Sequence, residues 1–209
     1  MNNYLIMSDE FYPYENASTN CLSKVIEEMV KNGVNVTVLC TTYNHDDLLS
    51  EKKSGYRIER IYMNERQNRL YGNFPFNGEW FGKRLLNIYF MLYYRTIKTI
   101  KLIRKYNKMI KKESYDYLIS VNCPYRNHEF AFLFNQKRSD WIVLNFDPYV
   151  YNYSASKIYW WRKTRERIWG LKAKKIIYAI GIAEDQRRNN YYPFKKAQHI
   201  TLPLPNLVF

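Results

Sequence analysis

Glycine is scarce in this 209-residue chain, seven in all, and none stands between Met1 and Gly33. A Gly-x-Gly-x-x-Gly turn after the first strand is therefore missing, which argues against an NAD-type dinucleotide site. Gly82-Lys83 lacks both the upstream glycine and the following Ser or Thr of a phosphate loop. No Gly-x-Ser-x-Gly elbow, His-Glu-x-x-His pair, helix-turn-helix or RNA-recognition signature is present. Hydride transfer, P-loop hydrolysis, acyl transfer and zinc hydrolysis all lose weight. Cysteine is equally sparse. Cys21, Cys40 and Cys123 are odd in number and far apart, which speaks against a disulfide framework or a short-spaced zinc site and for a reducing compartment. Neither a cofactor nor a metal is expected. The first ten residues carry no basic leader region, and the longest apolar run, Leu85 to Tyr94, is half a membrane span and contains Asn87. These features predict a cytoplasmic globular chain without a transmembrane helix.

What is abundant is positive charge, 33 Lys and Arg against 19 Asp and Glu, a formal +14. Polyanions or an anionic membrane are natural partners for such a chain. AT-rich codon usage, visible in the 21 tyrosines and many asparagines, accounts for the excess equally well, but less well for its uneven placement.

Along the chain, strand and helix patterns alternate. Tyr4–Met7 is a short apolar run bounded by Ser8-Asp9 and reads as a buried strand. Leu22, Val25, Ile26 and Met29 recur at helical spacing with Lys24, Glu27, Glu28 and Lys31 opposite, and Asn32-Gly33 supplies the stop. Val34–Thr41 is a second buried strand, which completes a βαβ unit with a right-handed crossover. Tyr56–Tyr62 alternates as an edge strand should. Further strands are expected at 117–121, 141–146, 175–180 and around 199–202, with helices at 79–112, 129–137, 158–172 and 183–190. The series predicts a Rossmann-like, doubly wound α/β parallel sheet of six or seven strands, in one domain spanning residues 1–209. Ligands in such sheets sit beyond the carboxyl ends of the strands where strand order reverses. The loops to inspect are then 8–20, 41–47, 122–128, 146–153 and 181–187.

Several segments carry a likeness to a known family. Tyr4-Leu-Ile-Met-Ser-Asp-Glu-Phe-Tyr-Pro13, followed by a helix ending Lys31-Asn-Gly-Val-Asn-Val-Thr-Val38, resembles the opening of family 4 glycosyltransferases of the GT-B fold. Ser120-Val-Asn-Cys-Pro-Tyr-Arg-Asn-His128 is similar to that family's strand, Pro-containing loop and histidine. Trp141-Ile-Val-Leu-Asn-Phe-Asp-Pro-Tyr149 resembles a segment of its bacterial polysaccharide subgroup, and Glu166 through Ile180 its helix-plus-strand. The order covers nearly the whole chain. The resemblance implies the acceptor-binding N-terminal half of a retaining glycosyltransferase in polysaccharide biosynthesis. Its partners would be a nucleotide-sugar donor, held mainly by a second, nucleotide-binding domain outside this chain, and a saccharide acceptor, often lipid-linked. Alone, such a half would bind acceptor weakly and catalyse nothing.

There are departures. The family's Gly-Gly in the first loop is replaced by Glu15-Asn-Ala-Ser-Thr19, and the Glu-x7-Glu spacing of Glu51 and Glu59 falls in the wrong half and reads as coincidence. Helix N-terminal amides with Asn16, Ser18 and Thr19 could still take an anion, the plain alternative being a helix cap. By the resemblance His128 would hydrogen-bond the donor sugar or its phosphate; otherwise it is a surface histidine that starts a helix. Asp147, after a buried strand and before Pro148, would bind acceptor hydroxyls or act as base, or else simply form a turn. Asp9 and Glu10 at the end of the first strand could touch a sugar, and Arg126 could neutralise a phosphate.

Between Trp80 and Lys112 stand ten basic residues and no acid. Lys98, Lys101, Lys105, Lys108 and Lys112 repeat at 3-4-3-4 and share one helical stripe, next to the aromatic run 85–94. Such a helix suits docking on anionic lipid at the inner face of the plasma membrane. The plain alternative is a solvated outer face. A basic stripe without a reading motif is a poor case for nucleic acid. A second class of function therefore stands beside the first: a non-catalytic Rossmann-like domain that docks on membrane or a partner through residues 80–112.

Overall fold

The computed structural model describes residues 2–8, 11–12, 17–42, 51–53, 55–62, 104, 114–121, 126–134, 140–146, 167–179 and 198–202. In chain order the elements are β1 (Asn3–Met7), α1 (Ala17–Lys31), β2 (Asn35–Thr42), β3 (Glu51–Lys53), β4 (Tyr56–Tyr62), β5 (Tyr117–Val121), α2 (Arg126–Phe134), β6 (Asp140–Asn145), β7 (Lys175–Ala179) and β8 (Gln198–Leu202). Residues 167–170 are also helical.

All eight strands join one sheet in the order β3-β4-β2-β1-β5-β6-β7-β8. Seven of them run parallel, in pairs such as Leu5 with Thr37 and Leu5 with Leu118. The fold is therefore the doubly wound, Rossmann-like α/β sheet that the alternation of apolar runs and amphipathic helices predicts. The eighth strand is an addition. β3 pairs antiparallel with β4, Lys53 opposite Tyr56, so Tyr56–Tyr62 is not the outermost strand. Glu51-Lys-Lys53 has no apolar pattern to announce it; a tight turn at Gly55 folds it back. Gly55 has φ 91°, and a Cβ there would meet Val30 Cγ1 at 2.7 Å. Only glycine fits this close approach beneath the last turns of α1.

The end of α1 follows from Asn32-Gly33. Gly33 adopts φ 77°, Val34 N–H donates to Met29 O (3.1 Å) and Gly33 N–H to Val30 O (2.9 Å). These are the two bonds of a Schellman cap, and they turn the chain straight into β2. Starting at Ala17, the helix is a full turn longer at its N-terminus than the apolar spacing alone marks.

Because side chains alternate across a strand, the sheet has two buried faces. Ile6, Val36, Val38, Ile58, Ile119, Ile142 and Leu144 pack with Leu22 and Ile26 of α1 in one core. Leu118, Ser120, Trp141, Val143 and Asn145 have the opposite parity. They are also buried, and Trp141 lies against Phe132 of α2, ring centroids 6.3 Å apart. Helices thus cover both faces, as a parallel sheet requires.

Among the described residues no helix is long and apolar enough to cross a membrane, and no group of three or more His, Cys, Asp or Glu gathers to hold a metal. The expected helix over 79–112 lies outside the described residues except for Arg104, which is helical and exposed. Residues 183–190 lie outside as well.

Candidate functional site

Strand order reverses between β1 and β5: the chain winds from β1 through β2 to β4, then returns to the other side of β1 and continues through β5 to β8. At such a reversal successive crossovers leave to opposite faces, and in open parallel sheets ligands bind in the crevice beyond the carboxyl ends there, here those of β1 and β5. Four segments bring residues to it: the chain after β1, the first turn of α1, the first turn of α2, and the end of β6.

On the β1 side, Ser8 N–H extends the ladder to Leu39 O (3.1 Å). Phe11 is wholly buried and meets Tyr56 edge-on, 6.3 Å between centroids, so it anchors the loop in the core beneath α1. Tyr12 turns outward, and its carbonyl accepts a hydrogen bond from Arg60 Nη2 (3.2 Å). Arg60 is buried at the carboxyl-terminal half of β4. Its guanidinium thus ties β4 to the chain that follows β1. Of the residues expected to take an anion, Ser18 and Thr19 do lie in the first turn of α1, Ser18 half-buried and Thr19 buried. Asn16, Asp9 and Glu10 lie outside the described residues.

On the β5 side, Asn127 Nδ2 donates to Val121 O (3.0 Å) and ties the first turn of α2 to the end of the strand. Arg126 opens this helix. His128 follows two residues later and is 1% exposed. It is therefore not a surface histidine. Its Nδ1 lies 2.7 Å from Ser120 Oγ and its Nε2 2.9 Å from Asn145 Oδ1, while Trp169 packs edge-on against the ring at 5.5 Å. Trp141 Nε1–H in turn donates to Ser120 Oγ (2.8 Å). Burial of the ring disfavours its charged form and pushes the His128 pKa down to about 4, against a smaller opposing effect of the Asn145 hydrogen bond. At neutral pH the imidazole is uncharged.

The arrangement brings Ser18, Thr19, Arg126, Asn127 and His128 to the carboxyl edge on both sides of the reversal. Asp147, two residues past Asn145, lies outside the described residues, as do Lys98, Lys101, Lys105, Lys108 and Lys112. Residue patterns missed Arg60, Ser120, Trp141 and Asn145. The available signal was parity: Arg60 shares the buried face of Tyr56 and Ile58, and Ser120 and Asn145 are polar positions inside otherwise apolar strands.

No family model matches the chain, and no curated protein matches it in sequence. Solved structures do match it in fold. One is described as trehalose-6-phosphate from E. coli bound with UDP-2-fluoro glucose, at 10% identity and a TM-score of 0.57. Another is a trehalose-6-phosphate synthase, OtsA, at 10% identity and a TM-score of 0.59. In both, the match takes in 97% of this chain and 49% of the other, so the chain spans about half the length of the structures it resembles. The chain thus has the Rossmann-like α/β fold of one half of these GT-B structures.

Proposed function

We propose that this chain is the acceptor-side lobe of a retaining glycosyltransferase that moves a sugar from a nucleotide-sugar donor to a saccharide acceptor, lipid-linked and destined for a surface polysaccharide. The observation that carries the reading is the match of 97% of the chain to one half of sugar-nucleotide-bound and trehalose-6-phosphate synthase structures. On this reading residues 1–209 form one domain, and a separate Rossmann-like lobe holds the nucleotide.

The chemistry asks little of an acceptor lobe beyond position. An acceptor hydroxyl replaces the nucleoside diphosphate at the anomeric carbon, and holding the two reactants in line is worth several orders of magnitude in rate. Asp147 binds the acceptor hydroxyls or receives the proton. Asp9, Glu10 and Asn16 contact sugar, and Ser18, Thr19 and Arg126 meet the negative charge that builds on the diphosphate, alongside the amides of the α1 N-terminus. His128 supports the crevice from beneath. The basic stripe Lys98, Lys101, Lys105, Lys108 and Lys112 docks the lobe on anionic lipid at the cytoplasmic face, where a lipid-linked acceptor resides.

Mixing the chain with a nucleotide-binding GT-B lobe supplied as a second polypeptide, a radiolabelled sugar nucleotide and a bacterial lipid extract tests the proposal. Label should enter the lipid fraction only when both lobes are present. Label transfer that is equal without this chain would refute it.

A further inference from the structure

Trp141, Ser120, His128 and Asn145 form a chain of hydrogen bonds whose direction can be worked out from one end. An indole N–H can only donate. Trp141 Nε1–H therefore gives its hydrogen to Ser120 Oγ, 2.8 Å away. The serine hydroxyl has one hydrogen of its own, and its remaining partner among the described residues is His128 Nδ1 at 2.7 Å. With Ser120 fully buried, that hydrogen must go to Nδ1 or be lost to any acceptor. Nδ1 is thus the bare nitrogen of the ring, Nε2 carries the proton, and Nε2–H donates to Asn145 Oδ1 at 2.9 Å.

The path starts on β6, crosses to β5, passes through α2 and returns to β6. It closes a loop that pins the first turn of the helix to both strands at once. We propose that this loop is an acid-sensitive latch, which holds α2 on the sheet while the His128 ring is neutral and releases it when the ring takes a second proton.

The geometry gives the reason. A second proton would sit on Nδ1 and face the serine hydrogen, and Ser120 would have to turn that hydrogen toward no acceptor. The described groups set against the ring, Ser120 from β5, Asn145 from β6 and Trp169 from 167–170, are all uncharged. Burial lowers the ring's affinity for a proton accordingly. Opening of α2 restores the ordinary affinity, so acid favours the open state. The inference is independent of the proposed activity.

Nitrogen-15 NMR of the ring, with native-state hydrogen exchange of the α2 amides, tests the latch on the chain itself. At pH 7 the proton should reside on Nε2 with Nδ1 bare. Between pH 6 and 4.5 the protection factors of the Phe130 and Ala131 amides should fall about ten-fold per pH unit, while those of Ile6 and Val38 hold steady. In His128→Gln, whose side chain cannot take a proton, the pH-dependent loss should vanish. A proton found on Nδ1, α2 protection that does not change with pH, or the same pH dependence in His128→Gln would each overturn the proposal. Should that variant fail to fold, the wild-type tautomer and exchange profile still decide.

Discussion

At the scale of single residues, the most consequential group is a serine. Ser120 Oγ accepts from Trp141 and donates to His128, so its loss strips two buried partners at once. Each buried polar group left unsatisfied costs about 1–3 kcal/mol. Ser120→Ala should lower the unfolding free energy by about 3 kcal/mol in urea titration, whereas Trp141→Phe, which removes a donor and leaves the serine its histidine, should cost about half as much. The histidine also sets a pH dependence. Its pKa is lowered from 6.5 to about 4 in the folded chain, so between those values the unfolded chain binds more protons. The contribution is complete above pH 6.5 and disappears as the pH falls toward 4, by up to about 3 kcal/mol. Urea midpoints compared at pH 7 and pH 4.5 should show this fall in the wild type and a smaller one in His128→Gln. Equal falls in the two proteins would contradict the assignment of the effect to this ring.

Elements depend on a few backbone positions that side-chain patterns do not reveal. Both Gly33 and Gly55 have positive φ, but only at Gly55 would a Cβ collide with a neighbour, Val30 Cγ1. Gly33→Ala should therefore cost about 1 kcal/mol, the strain of a left-handed alanine, and Gly55→Ala distinctly more in the same thermal-unfolding experiment. Equal effects would mean that the turn before β4 is not packed against α1. Helix α1 and the parallel strands were legible because their apolar spacing is imposed by the core: Leu22, Ile26 and Met29 on α1, or the continuous Val-rich run of β2, leave few alternatives. Strand β3 was not, since Glu51-Lys-Lys53 owes its place to the Gly55 turn and to backbone pairing with β4. Nor was the depth of His128. A histidine near a helix start reads as exposed, and its burial depends on Ser120, Asn145 and Trp169, which sequence separation keeps apart and the β5–β6 and β6–β7 crossovers bring together.

At the scale of the whole molecule, the strand order β3-β4-β2-β1-β5-β6-β7-β8 locates the crevice, and charge gives the docking hypothesis. With ten basic residues and no acid between 80 and 112, the Lys98/Lys101/Lys105/Lys108→Glu variant should fail to float with liposomes of anionic lipid while keeping the wild-type circular dichroism. Flotation that persists unchanged would rule out docking through this stripe. Each lysine near an anionic surface is worth about 1 kcal/mol, so reversal of four is well above what such an assay detects. On the proposed function, sugar ligands lie across the carboxyl ends of β1 and β5. Amide-resolved NMR titration of the chain with UDP-glucose, and separately with glucose 6-phosphate, tests it most directly. Resonances of Ser8, Ser18, Thr19 and Asn127 should move, and those of Tyr4 and Tyr117 at the opposite end of the same strands should stay. Shifts gathered at Tyr4 and Tyr117, or none with either ligand, would contradict it.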